Sequence, residues 1–553
     1  MYLRPNYRQK DGKVHTYWTL VESWRTEEGP RQRKLCYLGE LNHSQQARWQ
    51  KALEVFNEQG QDRQLKLFPA DVPVADDDPE VARVLVKQVR VERVREWGQC
   101  WLGWELWKQL ELDRFFQRPV DTDASDVPWS RIAAVLASNR LCAPGSELAL
   151  EQRWFPITAL DNLLAIPTAK LNDTRLYRCL DRLLPHKAAL EQHLREKYGE
   201  LFQAEFDVLL YDLTSTYLEG GGEKNPQMQR GYSRDHRPDC KQVVLALIVN
   251  PDGFPISYEV FDGHRADVTT LEEALETVEA KYGQARRVWV FDRGLVSEEN
   301  LQKLREHRGQ YLVGTPRSKL KDFDRYLVEE GWEQVRPEVE VKLVSTGEGE
   351  ETYVLCRTTG RKEKEQAIHS RFSARLEKAF RSLEKRVATG KLKDRDKALL
   401  KLGRLEALHP QVADLYQWEL AEANGKLAFR WCLQEDKRAW QELREGAYLL
   451  RTNLPAQNPA ELWKQYMQLT EVEAAFRALK SELGIRPLYH QLESRVQAHI
   501  LVAFLGYALW VTLKHWLRRQ GTDLSPAKAL ALLKTLHSAD IILPTTDGRE
   551  IRL

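Results

Sequence analysis

Three carboxylates stand where this chain has the means to do chemistry. Asp212 follows the run Val208-Leu-Leu-Tyr211, and Asp292 follows Val288-Trp-Val-Phe291. Glu473 lies within Tyr466-Met-Gln-Leu469-Thr-Glu-Val-Glu473-Ala-Ala-Phe476-Arg477-Ala-Leu479-Lys480. Both aspartates close short apolar runs rich in β-branched and aromatic residues, so each is expected at the end of a buried strand. That sheet edge is where α/β folds place their chemistry. In the third segment Val472, Phe476 and Leu479 recur at helical spacing, with Gly484 and Pro487 as stop signals, so it reads as one helix. At about 3.6 residues per turn, Tyr466, Glu473, Arg477 and Lys480 share one side of it. Each feature alone has a plainer reading: an aspartate as helix cap or turn residue, a surface helix laced with ion pairs. Taken together, two strand-end aspartates and a helix-borne glutamate suit a pair of Mg²⁺ ions, with Mn²⁺ as a substitute. Such ions prefer carboxylate oxygen and serve phosphodiester cleavage. Arg477 and Lys480 would then grip phosphates, and the Tyr466 ring would stack on a base or sugar.

On these residues the sequence resembles the insertion-sequence DDE transposases of the IS-four group. Their signature Y-x2-R-x3-E-x6-K follows two aspartate motifs of this form. The segments Gly231-Tyr-Ser-Arg-Asp-His-Arg-Pro-Asp239-Cys-Lys-Gln242, Asp252-Gly-Phe-Pro255 and Phe261-Asp-Gly-His264 resemble the branch with a long β-rich N-terminal region, and the likeness runs from Met1 to about Lys514. The resemblance implies an RNase H-like mixed-sheet core. It also implies a metal triad of Asp212, Asp292 and Glu473, and double-stranded DNA as partner, both the element ends and the target. A homodimer would hold the paired ends. Tyr466 and Lys480 match the signature, whereas its arginine falls on Leu469. Arg477, one turn beyond Glu473, is a candidate for the missing charge. Two other classes stay open: a structure-specific nuclease of the RNase H superfamily that cuts without joining, and a silent DNA-binding descendant of a transposase.

Composition narrows the field. The chain has 553 residues, 42% of them apolar and 30% charged, as in soluble globular proteins with several domains. Its formal net charge is only +2, so contact with nucleic acid must come from local patches. Seven scattered cysteines contain no C-x-x-C pair, which argues against a disulfide framework or structural zinc and fits a reduced cytoplasm. The apolar run Ile500–Leu513 is short for a bilayer and reads as a buried core helix. The N-terminus, with Arg4, Arg8 and Lys10, has no apolar segment of the signal-peptide kind. The glycines at 220–222 lack the spacing of a nucleotide-binding loop, so no nucleotide is expected. His236, Asp239 and Cys240 lack a second ligand cluster for zinc.

The elements that must position the carboxylates follow from the same pass. Residues 1–60 read as a small β-meander, with turns at Asp11-Gly12 and Glu28-Gly29, then a helix at about 44–59. Residues 61–89 have linker composition. Helical patterning is expected over 90–203, including a tryptophan row at 97, 101, 104 and 107 that suits core packing or base stacking. Within it the segments Ser130–Leu141 and Asp173–Leu184, carrying Arg131, Arg140, Arg175, Arg178 and Arg182, are candidates for a DNA-end-binding module or for a solvated bundle face. The first part of the core (204–320) should hold strands at 207–212, 241–249, 255–261, 287–292 and 310–315, with helices at 268–282 and 297–307. Asp292 and Glu473 lie 181 positions apart, so an insertion (321–446) must separate them. Over 361–405 it carries 15 Lys/Arg against 6 Asp/Glu. Lys391, Lys393 and Lys397 there are candidate DNA contacts, or parts of a solvated charged helix. The second part of the core spans 447–515, and 516–553 reads as a helical tail. Thr214, Ser215 and Thr216 are candidates to support the metal site, and Asn300 and Arg317 to touch DNA.

Overall fold

The computed structural model describes residues 2–10, 13–26, 29–40, 54–56, 62–63, 83–283, 287–345, 351–423, 426–455, 458–546 and 548–553. They form two compact bodies. One comprises Met1–Gln99, Ile157–Ala159 and Ala531–Leu553; the other comprises Cys100–Pro156 and Leu160–Leu530.

In the first body Tyr2–Lys10, Lys13–Thr26 and Gly29–Glu40 form an antiparallel meander. The expected Asp11-Gly12 turn lies outside the described residues. Glu54–Phe56 is a short strand where a helix over 44–59 was expected; the rest of that span, apart from 54–56, is likewise undescribed. Two further expectations fail here. Arg90–Glu96 is a strand, not the start of a helix, and the C-terminal tail ends in strands His537–Pro544 and Glu550–Arg552. The first two pair antiparallel. The physical reason is that the apolar residues of both segments are β-branched, Val91 and Val94 on one and Ile541 and Ile542 on the other, and Val91 pairs with Ile541. Arg90 is also ion-paired with Glu550 across these strands at 2.8 Å.

The second body holds the site. Its helical part contains α1 (Gly98–Gln109), α2 (Leu112–Val120), α3 (Trp129–Cys142), α4 (Asp173–Leu183) and α5 (Lys187–Phe202). Trp107 is fully buried, and Trp104 packs against the same core. Core packing thus holds for these two tryptophans of the row, whereas Trp101 is exposed. Helix α3 is buried along almost its whole length, so it presents no free basic face to DNA. On α4, Arg175 is paired with Asp126 and Arg182 with Asp123.

The centre is one mixed sheet. Its strands are β1 (Val208–Tyr217), β2 (Gln242–Val249), β3 (Pro255–Asp262), β4 (Val288–Phe291), β5 (Gln310–Gly314), β6 (Glu333–Arg336), β7 (Val339–Ser345), β8 (Thr352–Thr358) and β11 (Ala447–Thr452). Between β8 and β11 the strands β9 (Tyr416–Ala423) and β10 (Lys426–Leu433) form a separate hairpin. The spatial order is β3-β2-β1-β4-β5-β11-β8-β7-β6. An antiparallel meander of three strands meets parallel β4 and β5, as the strand pattern anticipated. The insertion is β-rich, as the resemblance to the transposase family implies, and its first three strands lengthen the central sheet. Helices α8 (Thr359–Ala388) and α9 (Arg395–Leu408) pack with β9 and β10 around their own core of Leu376, Phe380, Leu402, Tyr416 and Phe429.

The sheet is covered on both faces. Leu209, Tyr211, Trp289, Phe291, Tyr311 and Val313 meet α6 (Leu271–Tyr282) and α7 (Glu298–Glu306) on one side. The alternate residues Leu210, Val290 and Leu312 join the larger core on the other, with α3 and the 27-residue α13 (Glu493–Arg519). Helix α13 is long and apolar enough to cross a membrane, but 89% of its most apolar window is buried inside the protein. The reading of Ile500–Leu513 as a core helix therefore describes its packing.

A buried polar cluster ties α3 to α13. Arg140 donates to the Gly484 carbonyl at 3.1 Å and lies 3.2 Å from His499 Nδ1 and 3.9 Å from Glu147. Burial alone would raise the Glu147 carboxyl, yet His490, 3.4 Å away, together with His499 and Arg140, holds it down at about 2. Removing one member of such a buried set strands the others. Arg140→Met is expected to cost about 3–5 kcal/mol in urea unfolding, because Glu147 loses its buried cation. Adding Glu147→Gln should recover part of that loss; no recovery would show that the charge pairing is not what Arg140 supplies.

Candidate active site

Strand register decides where the aspartates stand. Val288, Trp289 and Val290 of β4 pair in parallel with Val208, Leu209 and Leu210 of β1. Continuing that register sets Asp292 level with Asp212, and both share the face of Leu210 and Val290, because side chains alternate along a strand. Asp212 is thus not at a strand end as expected. Strand β1 runs on to Tyr217, still paired with β2, while β4 stops at Phe291. The end that matters is that of the neighbouring strand, which opens the sheet beside Asp212.

Neither carboxylate serves as a cap. Asp292 precedes the turn Arg293–Leu295, but its side chain makes no capping hydrogen bond. Asp212 accepts only from the adjacent Leu213 N–H, at 2.8 Å. Burial pushes the Asp212 carboxyl up to about 6; the Leu213 N–H and Arg234 oppose that shift, while the charges of Glu473 and Asp292 add to it. The three acids are therefore electrostatic neighbours.

Glu473 arrives on the same face, though not on one continuous helix. The segment breaks into α11 (Pro459–Met467) and α12 (Leu469–Arg477), followed by a wide turn, Ala478–Glu482. Val472, Ala475, Phe476 and Leu479 bury against the larger core, which leaves Glu473 and Arg477 exposed. Tyr466, on α11, donates its hydroxyl to Asp292 Oδ1 at 3.2 Å. Burial and the Asp292 charge raise the phenol's pKa and keep it a donor. This approach needs Gly314 beneath it, since a Cβ there would lie 2.6 Å from the Tyr466 oxygen. So Tyr466 faces Asp292, where base stacking was expected.

Lys480 also departs from expectation. It is mostly buried and donates to Asp235 Oδ1 at 2.7 Å, beside Arg486, which grips the same oxygen. Burial lowers its pKa against the pull of Asp235. Asp235 and Arg234 sit on the β1–β2 connection. It is pinned where the Arg234 N–H donates to buried Ser215 and where Gly231 comes too close to the Gly263 carbonyl for a Cβ. Arg234 itself is bound to Asp267. Ser215 thus supports the site through this loop, and Thr216 Oγ1 donates to the Ile485 carbonyl at 3.4 Å. Asn300 is buried and donates to the Val268 and Leu295 carbonyls, a structural task that leaves nothing for DNA. Lys391 and Lys393 lie in the turn between α8 and α9, and Lys397 pairs with Asp394 at 3.2 Å. None of the three contacts the carboxylates.

Asp292 and Tyr466 line a cavity of about 200 Å³ together with Arg293, Arg317, Arg361 and Tyr448. Apart from Arg317, these arginines, with Asp235, Arg486 and Gly314, escaped the sequence reading. They flank motifs already recognised, and only the fold shows that they converge.

The carboxylates fit a hard divalent cation: Asp212 and Asp292 each engage only one oxygen in a hydrogen bond among the described residues, and their charges repel one another. They are not gathered as a tight single-ion cage. Among the described residues only Glu147, His490 and His499 bring three ligand atoms within 4.8 Å of one another, and there Arg140 already supplies a positive charge.

A family model described as "Transposase DDE domain" matches residues 204–509, more than half of the chain. The chain therefore belongs to the DDE transposases, enzymes that act on DNA with a divalent metal ion. Residues 3–65 match a second model, described as "IS1634 family transposase, N-terminal domain". No curated protein matches the chain. Among solved structures, a piggyBac transposase synaptic complex with hairpin DNA aligns at 9% identity, over 80% of this chain and 82% of that one, with a TM-score of 0.37. That likeness is too loose to carry an argument.

Gly314→Ala is expected to destabilise the protein by about 1–3 kcal/mol, as an overpacked contact does. Tyr466→Phe in the same chain should recover much of this, because the nearest clash is with the hydroxyl. A urea double-mutant cycle without coupling would show that Tyr466 does not depend on Gly314.

Proposed function

We propose that this transposase belongs to the IS-four group with the Y-R-E-K signature, and that Asp212, Asp292 and Glu473 are its catalytic and metal-binding residues. The carrying observation is that strand register sets the two aspartates level on one face while the Glu473 charge reaches Asp212. Two Mg²⁺ ions, or Mn²⁺ in their place, suit three carboxylates spread more widely than a single-ion cage, since paired ions stand about 4 Å apart. When bound, such a pair would activate the attacking oxygen and steady the leaving one. Tyr466 orients Asp292 by donating to it. Arg477 is exposed and free to steady a phosphate, whereas Lys480 reaches one only by exchanging Asp235 for it. The enzyme binds the inverted-repeat ends of a mobile element as a homodimer in the bacterial cytoplasm. It nicks the strand at the element's end and transfers the freed 3′-hydroxyl into target DNA.

Asp212→Asn, Asp292→Asn and Glu473→Gln should each reduce Mg²⁺-dependent cleavage at the element boundary to background while end binding persists. The same variants should lose the rise in melting temperature that Mg²⁺ or Mn²⁺ gives the wild type. Cleavage at the normal rate by any one of them would remove it from the triad.

Lys391, Lys393 and Lys397 project from the insertion, and we assign them to DNA phosphates. Replacing all three with Gln should flatten the slope of log affinity against log salt by about 3, near one unit per phosphate contact. An unchanged slope would place them in solvent.

A further inference from the structure

The cavity beside Asp292 carries more positive charge than metal binding calls for. The Arg293 guanidinium has no partner among the described residues. Arg317 donates to both oxygens of Glu365, at 3.1 and 3.0 Å. Arg361 donates to the same carboxylate at 3.2 Å and lies 5.1 Å from the centre of the Tyr448 ring. Glu365 also accepts from the Gly446 N–H at 3.0 Å. One largely buried carboxylate thus locks two guanidiniums in place, and a third stands uncommitted. Three cations face only Glu365 and Asp292, so the cavity is positive even before any metal is bound. Fixed guanidinium forks of this kind match phosphate.

A second cavity shares two of its lining residues, Arg317 and Leu320. It measures about 630 Å³, and its wall holds Lys321, Lys437 and Trp440. Trp440 is 41% exposed. A free anion would use the first cavity alone. A nucleic-acid strand would use both, with phosphates on the cations and a base on the indole.

We propose that the arginine-lined cavity receives the sugar–phosphate next to the scissile phosphate on one DNA strand, and that the following unpaired nucleotide stacks on Trp440. The inference rests on the transposase reading of Asp292. It also gives the insertion a task, since Arg361 and Glu365 lie in the first turns of α8 and Trp440 lies on α10 (Glu435–Arg444).

The test uses duplexes of the DNA that borders the gene, some with a single-stranded flank, each bearing one neutral methylphosphonate near the element end. Binding is measured in Ca²⁺ for the wild-type chain and for Arg361→Gln, Arg293→Gln and Trp440→Ala, each checked for native melting. One methylphosphonate within about two nucleotides of the cleaved bond should weaken wild-type binding about tenfold, the worth of one charged hydrogen bond. Arg361→Gln or Arg293→Gln, about tenfold weaker on unmodified DNA, should then lose nothing more. Trp440→Ala should weaken the flanked duplex at least about fivefold and leave the blunt one unchanged. Additive losses, indifference to every methylphosphonate, or equal competition by inorganic phosphate would each overturn the proposal. Wild-type cleavage in Mg²⁺ is read on the unmodified duplex. If it occurs while the losses add, the cavity assignment alone fails; if it does not occur, the transposase reading fails, and coupling is still read from affinity.

Discussion

Like charges held close on one sheet face are the constraint on which this structure turns. The parallel pairing of β4 with β1 leaves no choice about where Asp292 stands: level with Asp212 and on the same side. Burial and the neighbouring acids already penalise the ionised form of Asp212. An arrangement that costs stability and caps no helix is hard to explain as scaffolding. It is what the proposed cation site calls for, and α12 buries one apolar stripe while leaving Glu473 exposed.

Around that constraint, the supporting residues compensate charge locally. Tyr466 hydrogen-bonds to Asp292, and Gly314 leaves room for its oxygen. Lys480 and Arg486 share Asp235, whose other oxygen is buried without a hydrogen-bond partner. A half-satisfied carboxylate between two cations is a poised element, since a phosphate offering more acceptors can compete for the same donors. Glu365 does the corresponding task on the insertion side, holding Arg317 and Arg361 against the cavity.

Much of the core was legible because its elements are locally consistent. The β-branched and aromatic runs at 208–211 and 288–291, and the all-apolar run of β2, leave little alternative to buried strands. The strand–helix alternation from 255 to 314 followed from the change of hydrophobic period. The misreadings are of another kind. Ser130–Leu141 carries arginines and looks amphipathic, but α3 is enclosed, and Arg140 is neutralised by Glu147, a residue seven positions on whose direction sequence does not reveal. Arg90–Glu96 and His537–Pro544 become strands only because they find each other across more than 400 residues, a pairing to which local propensity is blind. The insertion's first strands joined the central sheet for the same reason, since β8 and β5 both pair with β11.

What the sequence determined by itself is the inventory and its local geometry. Three carboxylates sit on two apolar strands and one amphipathic helix, and the spacing of those elements already implies an interrupted α/β core. The tertiary structure decided the rest: which strands are neighbours, in what register, and which cations meet which acids. Asp212 and Asp292 are 80 positions apart in the chain and become level only through β1–β4 pairing. The sequence pattern points Lys480 at a phosphate, yet it lies on Asp235, because a side chain's partner depends on which distant segment folds over it. Local periodicity sets the direction of a side chain relative to its own backbone; long-range packing sets what it meets there.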